Sequence, residues 1–69
     1  MYFTEIRKSQ HYTDNHEHEL PWSKVVEIIF TTKNKRKKGN KIEIETDRYY
    51  LLCEIKDNVL WVINAKVRT

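Results

Sequence analysis

The clearest pattern lies in the C-terminal half of the chain. From Lys41 to Thr46 polar and apolar residues alternate strictly, with Ile42 and Ile44 on one side and Glu43 and Glu45 on the other. That period of two marks a half-buried strand. A second strand follows over 48–56, with Tyr49, Leu51, Cys53 and Ile55 sharing one side and Tyr50, Leu52 and Glu54 the opposite one. Asp57 and Asn58 both tolerate left-handed backbone, so they predict a tight hairpin. Residues 59–67 then return as a last strand. Its expected apolar side is Val59, Trp61, Ile63, Ala65 and Val67, while Leu60 and Val62 extend apolar character to the other side. The pattern predicts a three-stranded antiparallel meander.

Upstream, Trp22, Val25, Val26, Ile29 and Phe30 recur at helical spacing, and Pro21 suits the entry to a first turn. Val and Ile crowd this stretch and favour strands. The polar positions Ser23, Lys24 and Glu27 nevertheless leave a continuous apolar stripe, and a sheet with one greasy face needs a cover. A helix is therefore expected. Residues 2–12 supply one more strand, with Tyr2, Thr4 and Ile6 facing one way and Phe3 and Glu5 the other. The polar stretch from His11 to Leu20 reads as a loop or a short irregular helix. The expected fold is α+β, in the order β-α-β-β-β, with one helix packed on an antiparallel sheet.

Composition narrows the setting. With 39% hydrophobic and 33% charged residues the chain is too apolar to stay disordered. Its 69 residues make one small domain, 1–69. No stretch approaches the roughly 20 apolar residues of a membrane span, and the first residues mix acid and base where a signal peptide needs an apolar core. Cys53 is the only cysteine, so no intrachain disulfide forms. Small secreted domains usually depend on such staples, so a cytoplasmic protein is expected. Cys53 sits in an apolar run and is expected to be a buried, inert thiol.

The net charge of +3 hides an asymmetry. Between residues 33 and 41 stand Lys33, Lys35, Arg36, Lys37, Lys38 and Lys41 with no acid among them; the rest of the chain has more acidic than basic residues. The basic character belongs to one segment, expected to be an exposed, mobile loop that turns at Gly39 and Asn40 before the first meander strand. Such a cluster suits phosphate contact through counterion release. It equally suits a solvated connector, an anionic lipid surface or an acidic protein partner. No aromatic residues are interleaved with it, so by itself it is not a stacking platform for bases.

His11, His16 and His18 are interspersed with Asp14, Glu17 and Glu19. The spacing is not that of the zinc proteases, and no cysteine pairs accompany it, so neither metal nor cofactor is expected. A glycine-rich phosphate loop and a nucleophile elbow are both missing. RNA cleavage by attack of the 2′-hydroxyl would need only a proton acceptor, a proton donor and a cation near phosphate. His11, Tyr50, Arg48, Lys66 and Arg68 are chemically eligible.

Four segments together carry a family likeness. Ser9-Gln10-His11 precedes a polar stretch and then Leu20-Pro21-Trp22; Arg48-Tyr49-Tyr50 opens one late strand; and Ile63-Asn64-Ala65-Lys66 closes the last. Over nearly the whole chain this resembles the small domains allied to RelE- and BrnT-type toxins. The resemblance implies a strand, a His-containing segment, a helix and a three-stranded meander. It also implies an RNA-binding domain that is a ribosome-dependent or free endoribonuclease, or a relative that has lost that activity, held by an antitoxin. The family's His maps onto His11. Its Arg a few residues later has no match, since Asn15 and His18 stand near that place. Arg48, Tyr50 and Lys66 correspond by position to basic and tyrosine side chains on its late strands. The alternative is a non-catalytic binding module whose basic segment contacts nucleic acid or an acidic partner. Catalysis requires His11 near Arg48, Tyr50 or Lys66 in one cleft; binding does not.

Overall fold

A computed structural model describes residues 4–33 and 35–68. Along them run β1 (Glu5–Lys8), α1 (Gln10–Asn15), α2 (Trp22–Thr31), β2 (Lys35–Lys38), β3 (Lys41–Glu45), β4 (Tyr49–Lys56) and β5 (Val59–Val67). The strands form one sheet in the order β1-β5-β4-β3-β2, with β1 parallel to β5 and every other pair antiparallel. The α+β class and the meander, β3-β4-β5, are as expected. The order β-α-β-β-β is corrected: there is a second helix, a further strand, and a mixed rather than antiparallel sheet. Tyr2 and Phe3, expected in the first strand, lie outside the described residues.

Both helices pack on one side of the sheet. Val25, Ile28 and Ile29 of α2 meet Ile42 and Ile44 of β3, Leu51 and Cys53 of β4, and Leu60, Val62 and Ala65 of β5 in one core. Residues 25, 28 and 29 stand at the i, i+3, i+4 spacing that puts them on one helix face. Phe30 lies about 100° further round the helix and is 61% exposed, contrary to expectation; Ile28 takes its place against the sheet.

The segment after β1 is more ordered than its polarity suggests. Ser9 caps α1, its Oγ accepting from the backbone N–H of Tyr12 at 3.1 Å. Tyr12 is wholly buried, with its ring 5.7 Å from that of Trp22 and its hydroxyl donating to the Leu20 carbonyl at 2.6 Å. One amphipathic ring in a polar stretch therefore anchors the whole segment. Because β1 is short and pairs only as far as Val62, the second half of β5 lacks a strand neighbour on that edge. The carboxylate of Glu19 meets part of that need by accepting from the Val67 N–H at 3.2 Å.

Two turns and one irregularity set the rest. Asp57 and Asn58 have φ of 54° and 64°, the left-handed pair of a two-residue hairpin between β4 and β5. Gly39, at φ 62°, turns β2 into β3. On β5 the register slips: Val62 faces Cys53, but Asn64 faces Leu52, so Ile63 is an extra residue. The bulge reverses which side successive residues occupy. Leu60, Val62 and Ala65 all reach the core, while Val59, Trp61 and Ile63 turn to the sheet side that no described element covers. The single apolar face expected for this strand is thus wrong, and Trp61 is half-buried. A further correction concerns residues 33–40. Lys35–Lys38 is not a loop but an edge strand paired with β3, all four residues exposed.

Candidate nucleic-acid interface

Four consecutive basic residues have no apolar face to bury, so β2 forms because the Gly39–Asn40 turn delivers it to β3 in register. Alternation then splits its charges. Lys35 and Lys37 pair with Ile44 and Ile42 and project to the helix side, whereas Arg36 and Lys38 pair with Glu43 and Lys41 and project to the open side. On the open side Arg36 lies 3.1 Å from Glu45, Lys38 lies 3.8 Å from Glu43, and Arg68 lies 3.8 Å from Glu45. On the helix side Lys35 donates to the Thr32 carbonyl.

The register sorts the charge of the sheet. On the open side of the strands Arg7, Arg36, Lys38, Lys41, Lys56, Lys66 and Arg68 stand against Glu5, Glu43, Glu45 and Glu54, and Asp57 of the hairpin turn lines the hollow beside Trp61 on that side. Among the cations of the open side Arg7 is paired with Glu5, and among the described residues Lys41 and Lys56 make no ion pair. The half-buried Leu52, Val59, Trp61 and Ile63 lie among these charges. An edge strand gains protection against strand addition from one or two lysines. Four in succession, continued by Lys33 and Lys41, exceed that need.

The proposed catalytic residues come from different elements. Tyr50 is on the open side, its hydroxyl donating to Glu43 at 2.9 Å, and its pKa is raised by burial and by that carboxylate. Arg48 is exposed in the bend before β4 and lines a hollow on the helix side with Glu27 and Thr31 of α2. Lys66 pairs in register with Tyr50. His11 is exposed on α1, its Nε2 3.2 Å from that of His16. The histidine that feels Lys66 is His16, whose pKa is lowered by burial first, then by His11 and by Lys66, with Glu19 and the nearby Asn64 side chain acting the other way. Cys53 is fully buried and burial pushes its thiol up to about 12, so it is no nucleophile.

His16, Asn64 and Trp61 were not singled out from the sequence for the places they take. His16 enters through the helix C-cap, and Asn64 and Trp61 through the bulge; neither leaves a signal in hydrophobic spacing. Among the described residues no group of three or more His, Cys, Asp or Glu is gathered to hold a metal, and no helix is long and apolar enough to cross a membrane. No family model, curated protein or solved structure matches the chain.

Proposed function

We propose that this domain binds RNA, using the β2–β3 ribbon and the adjoining open side of the sheet to contact phosphates. The observation that carries the reading is the excess of cations over acids on that side, continuous with the basic edge strand. Arg36, Lys38 and Lys41 supply backbone contacts on the open side, and Lys33, Lys35 and Lys37 continue them round the sheet edge; exposed side chains of this kind neutralise phosphate without reading sequence. The likeness to RelE- and BrnT-type domains points to the same ligand class, with a ribosome or an antitoxin as the larger partner. The Tyr50 hydroxyl is engaged by Glu43 at 2.9 Å and its proton is held more tightly than usual, which favours binding over cleavage by the set His11, Arg48, Tyr50 and Lys66.

Filter binding of a labelled single-stranded RNA across a salt series tests this. Affinity should fall with salt, with a logarithmic slope that loses about 0.7 for each phosphate contact removed. Lys41→Ser should lower the slope, and combining it with Lys33→Ser should lower it further. An affinity indifferent to salt refutes the reading. Incubation of the same RNA with and without ribosomes separates the alternatives. RNA bound but intact supports a binding module, whereas cleavage lost in His11→Ala restores the endoribonuclease.

A further inference from the structure

We propose that His11 and His16 form a site for a divalent late first-row metal ion, zinc or copper, with two imidazole nitrogens from the protein and water in the remaining positions. On a regular helix two residues five apart would lie about 140° from one another around the axis. His16 escapes that constraint because it is the C-cap of α1, with φ −127° and ψ −22°, and the departure from helical geometry swings its ring back onto His11. The two Nε2 atoms come to 3.2 Å. Two imidazoles bound to one tetrahedral zinc at about 2.05 Å put their nitrogens about 3.3 Å apart. The rings are tilted by 54° with centroids 5.1 Å apart, so they meet through their nitrogens and not through stacked faces.

Without a metal, two nitrogens at this distance must share a proton, since facing lone pairs repel. A metal ion replaces that proton and takes both lone pairs. The surroundings suit the exchange. A neutral ring is the ligand form, and His16 is buried beside His11 with no carboxylate hydrogen-bonded to it among the described residues. Once Nε2 is given to the metal, His16 carries its proton on Nδ1. The buried Oδ1 of Asn64 makes no hydrogen bond and lies close enough to His16 to act on it, so it is free to accept that proton. It is the outer acceptor that a metal-bound imidazole requires. The nearby carboxylates are engaged elsewhere: Glu17 by Lys8 at 2.6 Å, Asp14 by Gln10 at 2.9 Å and Glu19 by the Val67 N–H at 3.2 Å. That leaves two protein ligands and an open, exchangeable coordination sphere. Imidazole donors favour copper and zinc over the harder cations.

The test uses the full chain without an affinity tag. Cu²⁺ is titrated under electron paramagnetic resonance, and Zn²⁺ by calorimetry. One ion per chain is expected, with hyperfine splitting from two nitrogens, and binding should weaken as acid protonates the pair. His11 is exposed, so His11→Ala should keep the fold and lose about tenfold or more in affinity; Asn64→Ala should lose about tenfold. His18→Ala should bind like the parent. Splitting from a single nitrogen, an affinity unchanged in His11→Ala, or a loss in His18→Ala would each overturn the site.

Discussion

Tyr12→Phe removes one hydrogen bond and little else. The Tyr12 ring is wholly buried against Trp22, and its hydroxyl donates at 2.6 Å to the carbonyl of Leu20, itself 2% exposed. Phenylalanine preserves the ring contacts and leaves a buried acceptor without its donor. An unpaired group of this kind costs about 1–3 kcal/mol, a large part of a small domain's stability of roughly 3–10 kcal/mol. With a urea slope of about 1 kcal/mol/M, the midpoint at pH 7 should fall by about 1–3 M with the slope unchanged. The pH dependence supplies a second measurement. Burial, and then Glu17, push the Tyr12 phenol up to about 12 from 10.0. The folded state holds this proton more tightly than the unfolded chain. Stability from this source is therefore complete below pH 10 and lost as pH rises towards 12, by on the order of 2 kcal/mol. Tyr12→Phe has no such proton to lose, so the gap between the two proteins should close over that window. Cys53, raised by burial to about 12, destabilises both proteins alike at high pH and cancels in the difference. An unchanged urea midpoint at pH 7, or a gap constant from pH 8 to 12, would refute the reasoning.

Leu60→Ala should cost about 2–5 kcal/mol in urea melts, and Trp61→Ala less, because Leu60 is in the core while Trp61 lies half-buried on the uncovered side. The opposite ranking would contradict the strand phase ahead of the bulge. Asn58 has φ 64°, so Asn58→Gly should leave the melting temperature level or higher, and Asn58→Val should cost about 1–2 kcal/mol. Equal effects of the two would mean the hairpin turn differs. Native Cys53 should resist a thiol reagent at pH 8 and react fully in denaturant; rapid native labelling would contradict its burial. Replacing Lys35, Arg36, Lys37 and Lys38 with serine should change stability by no more than about 0.5 kcal/mol per site, since all four are exposed. A collapse of the melting transition would show that their ion pairs with β3 hold the sheet edge.

Three elements were legible because local chemistry alone decides them. The alternation of Ile42 and Ile44 with Glu43 and Glu45 specifies a one-sided strand wherever it is placed. Asp57 and Asn58 make the hairpin from their own backbone tolerance. The apolar stripe of α2 needs only a greasy surface to meet. What tertiary structure decided is of another kind. The bulge at Ile63 reverses strand parity, so a residue's side of β5 depends on register with β4 and not on its own sequence. That one slip moved Leu60 and Val62 into the core and Trp61 out of it. Lys35–Lys38 has no apolar face, and becomes a strand because a turn hands its backbone groups to β3. Residues 10–15 are helical because Ser9 caps them and Tyr12 finds a pocket beneath α2. The meeting of His11 with His16 follows from how that helix ends, a feature set by packing that no spacing along the chain encodes.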